Sequence, residues 1–329
     1  MVMPWIELLV KFRSDSVMTK LITIVVPAYN EEEGIFNFVS ELKDQLQKLN
    51  HLYTFKLIIV DDGSRDSTLV KLRELRRVDN FISYISLSRN RGKEIALLAG
   101  LDHVPPNADA VIIMDADLQH PPEVIPKFLE KWETGVLDVY GKRINRNYES
   151  RTKQILSWIY YKAVQFVLQQ KIDPGAGDFR LLDRKVLNAL TRIRESQRYT
   201  KGLYDLVGFN KGSVDFEVPQ RTHGVSSWSG LGLLRLAIDG ITSYSTLPLR
   251  IATMLGFLIS LISFLYMSYI VLKTILYGDP VAGYPSLLSI VLFIGGAQLL
   301  TIGILGEYVG KMFYESKGRP LYFVAEYES

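Results

Sequence analysis

"VIIMDADLQHPPEVI", residues 111 to 125, decides the fold. The run Val111-Ile112-Ile113-Met114 reads as a short, fully buried strand, and the Pro121-Pro122 pair stops it and starts a helix. Asp115 and Asp117 therefore stand at a strand's carboxyl end. In an open parallel α/β sheet that edge is where ligands bind, because the crevice forms outside the strand ends. Two acids one residue apart repel each other unless something positive joins them. Taken alone, a solvated turn with an aspartate helix cap explains the pair equally well. The rest of the chain decides between the two.

From Leu21 to about Tyr140, strand-like apolar runs alternate with helical segments, the pattern of βαβ units and a mostly parallel sheet. "LITIVVPA", "FKLIIVDD", "ISYISLS" and "VIIMDAD" are the strands, with helices after Asn30, Ser67, Gly92 and Pro122. The first, second and fourth strands end in Pro27-Ala28-Tyr29-Asn30-Glu31, Asp61-Asp62-Gly63-Ser64 and Asp115-Ala116-Asp117. Three adjacent strand ends thus converge on one cleft. Tyr29 can stack on a base, Asp62 can accept from a ring N–H, and the close carboxylates can share a divalent cation that also holds a diphosphate. Mg²⁺ or Mn²⁺ suits such hard oxygen ligands.

The chain has 329 residues, 48% of them hydrophobic, and a mean hydropathy of +0.11, high for a soluble protein of that size. Some of that apolar content must face lipid. With 0 cysteines there is no disulfide framework and no thiolate chemistry, and 4 histidines argue against zinc. A net charge of +3 without a long basic block gives no footprint for nucleic acid. Glu7 interrupts the brief apolar run near the N-terminus, so residues 1–20 read as an uncleaved extension, not a signal peptide.

Two segments, Ile251 to Leu272 and Tyr284 to Gly306, contain no Asp, Glu, Lys or Arg and are each long enough to cross a bilayer core of ~30 Å. Arg250 precedes the first; Lys311, Lys317 and Arg319 follow the second; Lys273 between them is balanced by Asp279. The positive-inside bias puts both termini in the cytoplasm of an inner or plasma membrane protein with two spans. Residues 149–170 have the pattern of an aromatic-rich amphipathic helix, and 229–246 that of an interfacial helix. The expected organisation is an extension over 1–20, the sheet domain over 21–228, the interfacial helix over 229–246, a two-helix membrane region over 247–312 and a cytosolic tail over 313–329.

"VPAYNEEEG", "IIVDDGSRDST", "RNRGKEIALLAG" and "DADLQHPPE" together resemble the inverting family-2 glycosyltransferases of GT-A fold. With "GAGDFRLLDRKV" and the two C-terminal runs, the chain is similar, more narrowly, to the polyprenyl-phosphate glycosyltransferases, the branch of dolichol-phosphate mannose synthase and the bactoprenol glucosyltransferases. The resemblance covers nearly all of the chain from Leu21 onward. It implies that Asp115, Asp117 and Gln119 bind the metal and diphosphate, and that Pro27, Ala28, Tyr29, Glu31, Asp62 and Ala116 line the nucleotide-sugar site.

With that resemblance, Lys93 before an apolar helix reads as a phosphate contact at a helix N-terminus. Arg143, at the end of "LDVYGKR", and Arg198 with Lys201 in "SQRYTKG" become candidates for the acceptor's phosphate. Asp178, between Gly177 and Phe179, matches the family's acid-base position. A lipid phosphate loses its second proton near pH ~6, so it needs little deprotonation, and Asp178 is expected to position the sugar or a cation instead.

The implied activity moves a hexose, glucose from UDP-glucose foremost, onto undecaprenyl or a similar polyprenyl phosphate with inversion. GDP-mannose or an amino-sugar donor remains an alternative, since Asp62 suits uracil and guanine alike. A processive polysaccharide synthase is less apt: it would carry a QxxRW motif and more spans, whereas here only Gln197-Arg198-Tyr199 occurs. A non-catalytic nucleotide-sugar-binding membrane protein would not need Asp115, Asp117 and Asp178 intact. A homo-oligomer is left open.

Overall fold

The computed structural model of the chain describes residues 19–117, 119–144, 176–196, 198, 200–217, 247–277 and 283–329. The extension over 1–18 and the helices expected over 149–170 and 229–246 lie outside the described residues. The chain divides into two compact units, one built on a sheet and one helical.

In the sheet unit, β1 (Lys20–Ala28), β2 (Tyr53–Asp61), β3 (Ile82–Leu87) and β4 (Ala110–Ile113) are parallel neighbours in the order β4-β1-β2-β3. Their crossovers carry α1 (Ile35–Gln47), α2 (Thr68–Val78) and α3 (Lys93–Asp102). Pro122–Val124 forms a single 3₁₀ turn that leads into α4 (Ile125–Glu133), so the proline pair does start a helix. Strand side chains alternate between two cores. Ile22, Ile24 and Val26 pack with α1, α2 and α4, while Leu21 and Val25 pack with α3 on the opposite face. Because both faces are covered, the strands read as continuous apolar runs instead of alternating ones.

Four further strands complete the sheet. β6 (Ala176–Asp183) lies antiparallel between β4 and β5 (Asp138–Arg143), and β7 (Lys211–Phe216) runs parallel to β5 at one edge. At the other edge β8 (Val324–Glu328) lies antiparallel to β3. The order is β7-β5-β6-β4-β1-β2-β3-β8. The C-terminal segment expected as a tail thus contributes an edge strand of the sheet. α5 (Arg184–Leu190) and α6 (Thr200–Leu206) follow β6 and add Val186, Leu187, Leu190, Leu203 and Tyr204 to the core that holds α3.

Two details of packing set up the cleft. A Cβ on Gly100 would stand 2.4 Å from Val25 Cγ1 and 2.9 Å from Val60 Cγ2, so α3 lies closer to the sheet than any larger residue permits. The β4/β6 register pairs Ile113 with Arg180, which brings the carboxyl end of β4 alongside the start of β6. Asp115 and Asp178 are neighbours for that reason.

In the helical unit, α7 (Leu247–Tyr277) and α8 (Tyr284–Ser316) are continuous helices that touch each other. Among the described residues, Phe293–Ser316 is one stretch long and apolar enough to cross a bilayer, and the apolar stretch Ile251–Tyr266 is shorter. Large side chains such as Phe257, Phe264, Leu299 and Ile302 are exposed along both.

Candidate active site

The residues after β1, β2 and β4 and the first turn of α3 enclose a cleft of about 360 Å³. Pro27, Ala28, Tyr29, Glu31, Asp62, Lys93, Asp115, Ala116 and Asp117, the nine residues expected at the nucleotide sugar, all line it, joined by Asn90, Gly92 and Ala96. The amino end of α3 opens into this cleft through Gly92 and Lys93, the arrangement that favours an anion.

Lys93 is the hub. Its Nζ lies 2.6 Å from Asp115 Oδ1 and 3.2 Å from Asp178 Oδ2. Burial opposes the charge of Lys93, but the two carboxylates outweigh it and raise its pKa. The same holds in reverse for Asp178. Burial alone would lift its carboxyl, yet the fields of Lys93 and Lys201 hold it below the ordinary value. Asp178 is therefore an ionised group at neutral pH and a poor proton acceptor. Its Oδ1 is buried and has no hydrogen-bond partner among the described residues.

The other acids differ in what already engages them. Asp117 is exposed, and its Oδ1 accepts the backbone N–H of Gln119 at 3.1 Å. Glu31 has a raised pKa, chiefly from burial and then from the like charges of Asp117, Asp66 and Asp115. Asp62 is buried, and both its oxygens accept backbone N–H groups, from Arg91 at 2.7 Å and Gly92 at 2.8 Å. It orders the loop that leads into α3, and each oxygen keeps a second lone pair toward the cleft.

Two functional-looking residues escaped the sequence reading. His120 is buried, its Nδ1 accepts the backbone N–H of Asp115 at 2.9 Å, and its ring stacks on Phe179 at 4.8 Å. Burial lowers its pKa, so it fixes Asp115 as a neutral ring. Glu94 accepts hydrogen bonds from the N–H and hydroxyl of Thr200. The histidine was legible only as part of "LQHPPE", and nothing in "GKEIA" distinguishes Glu94 from a solvated helix residue.

Of the basic residues expected at the acceptor, Lys201 acts on Asp178 and Arg143 acts on His120 through their charges. Arg198 requires a correction. Its guanidinium is buried and donates to the carbonyls of Ile193, at 2.6 Å, and Leu190, at 3.3 Å. These two donors cap the carboxyl end of α5; Nε has no partner among the described residues, and it is the burial of the guanidinium that argues against a phosphate contact.

A divalent cation fits the chemistry of this set only in part from protein. Among the described residues no group of three or more His, Asp or Glu side chains is disposed to hold one. Asp115 and Asp117 offer hard oxygens, and a cation there needs phosphate and water oxygens to complete its shell, as Mg²⁺ and Mn²⁺ ordinarily do.

With this geometry in hand, comparison with known proteins is informative. The model of "Glycosyl transferase family 2" matches residues 23–191, and that of "GtrB C-terminal hairpin" matches residues 247–312. The chain belongs to glycosyl transferase family 2. It is 43% identical over 309 residues to a glycosyltransferase of Synechocystis, covering 94% of this chain and 96% of that one. It is 41% identical over 303 residues to the bactoprenol glucosyl transferase of Shigella phage SfV, covering 92% and 97%. The prophage bactoprenol glucosyl transferase homolog of Escherichia coli is 39% identical, covering 92% and 98%. As a family-2 glycosyltransferase, the chain has the α/β GT-A-type sheet that its motifs led one to expect, parallel in four of its seven strand pairs.

Proposed function

We propose that this glycosyltransferase moves glucose from UDP-glucose onto a polyprenyl phosphate of the undecaprenyl type, with inversion, at the cytoplasmic face of a membrane. The observation that carries the reading is the meeting of donor-side acids, Asp115 and Asp117, with Asp178 and the cations Lys93 and Lys201 in one region. Relatives named bactoprenol glucosyl transferase, alike over nearly their whole length, support the choice of sugar and lipid.

The acceptor's phosphate oxygen attacks the anomeric carbon, the bond to the nucleotide's distal phosphate oxygen breaks, and the diphosphate departs with that electron pair. One displacement from the opposite face inverts the centre. The acceptor phosphate is largely dianionic above pH ~6, so no proton has to be removed. The barrier lies in bringing one anion to another, which fixed cations and geometry lower. Asp115 and Asp117 would hold Mg²⁺ or Mn²⁺, which when bound neutralises the leaving diphosphate. Lys93 binds the diphosphate beside the α3 terminus, Tyr29 offers a ring to the base, and Lys201 with Arg143 attracts the lipid phosphate.

For membrane placement, α7 and α8 are read as two spans. A parity argument supports this: β8 follows α8 yet pairs with β3, so an even number of crossings must separate the two. With the sheet unit in the cytoplasm, a reporter fused after Ser329 should read cytoplasmic and one inserted at Asp279 should read on the far side.

The test of function is transfer of labelled glucose from UDP-glucose into butanol-extractable lipid by the detergent-purified chain with undecaprenyl phosphate and Mn²⁺. Label in lipid, absent with Asp117→Asn, supports the reading. Preference for GDP-mannose moves the donor assignment, and label appearing only in polymer would favour a polysaccharide synthase.

A further inference from the structure

We infer that Glu94 is a positioning residue for the acceptor: by fastening Thr200 it fixes the backbone from which the charge of Lys201 acts on Asp178. The inference rests on the proposed function and extends it to a residue outside the cleft lining.

Lys93 and Glu94 are consecutive in the first turn of α3 yet serve different partners. Lys93 reaches Asp115 after β4 and Asp178 on β6. Glu94 turns to α6, where one oxygen, Oε2, takes both the backbone N–H of Thr200, at 3.0 Å, and its hydroxyl. Thr200 is fully buried, and the next residue is Lys201, whose charge acts on Asp178. Thus the amino end of α3, a helix that Gly100 about two turns further on lets approach the sheet closely, ties the end of β4 to the segment that carries Lys201.

A carboxylate is a costly way to make this tie. Burial and then the nearby Asp178 act against its charge and leave its pKa raised, although the Thr200 donors and Lys93 offset them in part. Docking of α6 alone does not call for it, since Leu203 and Tyr204 already seat that helix in the core. What the carboxylate adds is a fixed start to the helix: two donors converging on one oxygen leave Thr200 little freedom. Lys201, half-exposed, then swings from a fixed backbone. Among the described residues, Lys93, Asp178, Arg198 and Tyr204 also interact electrostatically with Glu94, and none of them accepts a hydrogen bond from Thr200.

The experiment uses the full-length chain in detergent with undecaprenyl phosphate and UDP-glucose. Glu94→Ala should raise the acceptor KM about tenfold, leaving the donor KM and the affinity for UDP with Mn²⁺ within twofold. Glu94→Gln, which keeps an oxygen acceptor, should recover most of the loss. Lys201→Ala should show the same acceptor defect, and Glu94→Ala added to it should cost little more, as expected for residues acting through one another. If Glu94→Ala does not yield folded protein, Thr200→Val carries the same comparison. An unchanged acceptor KM, a parallel fall in donor affinity, or full additivity with Lys201→Ala would overturn the role. A wild-type chain inactive on every lipid phosphate would instead overturn the proposed function, and this role with it.

Discussion

Lys93 Nζ stands 2.6 Å from Asp115 Oδ1, so a lysine side chain occupies the position from which a cation would bind that carboxylate. On the proposed function, lysine and metal would compete for Asp115, and would cooperate once a diphosphate supplies further negative charge. The two effects have opposite signs. Lys93→Met should bind Mn²⁺ alone a few-fold more tightly, the scale of ~1 kcal/mol for a half-exposed pair. The same variant should bind UDP with Mn²⁺ more weakly. Titration calorimetry in both conditions checks this, and a change of the same sign in both would refute the competition.

The part of the cleft under β1, β2 and β4 was legible because parallel strands bring their carboxyl ends to one edge, so Pro27, Asp62 and Asp115 had to converge once the strands were adjacent. The part beside β6 was not. β6 is antiparallel, and its place between β4 and β5 depends on partners that no local pattern in "AGDFRLLD" announces. β8 is five residues with mostly exposed side chains, and what binds it includes Arg73 and Tyr84, more than two hundred residues away. Arg198 misled because an arginine capping a helix and one gripping a phosphate both donate to oxygen, and "SQRYTKG" does not say which oxygen.

Asp178 offers a test of role by pH. Lys93 and Lys201 hold its pKa below the ordinary value, so it stays ionised throughout neutral and alkaline pH. Asp178→Asn keeps the shape and loses the charge, and transfer should fall ~100-fold, the scale of one preorganised electrostatic contact. If the residue positions Lys93 and the sugar, the defect stays constant from pH 6 to 8.5. A general base would behave otherwise, since an acceptor that ionises itself above pH ~6 would rescue the variant. Rescue by tenfold or more, which is ~1.4 kcal/mol of barrier, would restore the base assignment.

Arg198 and Lys201 should separate cleanly. Arg198→Ala leaves the carbonyl of Ile193 without its side-chain donor and leaves that of Leu190 with only the backbone N–H of Ile193, at a cost of ~2 kcal/mol. For a unit of this size that lowers Tm by about 4–8 °C. The acceptor KM of the folded protein should stay within twofold. Lys201→Ala should do the reverse, raising the acceptor KM with little change in Tm. Scanning fluorimetry and steady-state kinetics on both variants decide the matter, and an acceptor defect in Arg198→Ala without loss of Tm would return that arginine to the phosphate.

The C-terminal strand should come away in acid before the rest of the sheet. Glu326 receives Arg73 Nε at 2.9 Å and the hydroxyl of Tyr84, and these hydrogen bonds draw its pKa from 4.5 down to about 2. A depressed folded-state pKa means that the tie is fully present above the ordinary value and is lost as pH falls from there toward the folded one. Between pH 5 and pH 2.5, the protection of amides over Val324–Glu328, measured against the unstructured exchange rate at each pH, should therefore fall while β1, buried on both faces, stays protected. Glu326→Gln should loosen the same strand already at pH 7, because the amide lacks the charge that Arg73 answers. Equal exchange of β8 in the wild type and the variant at neutral pH would show that backbone pairing with β3, and not this carboxylate, is what secures the edge.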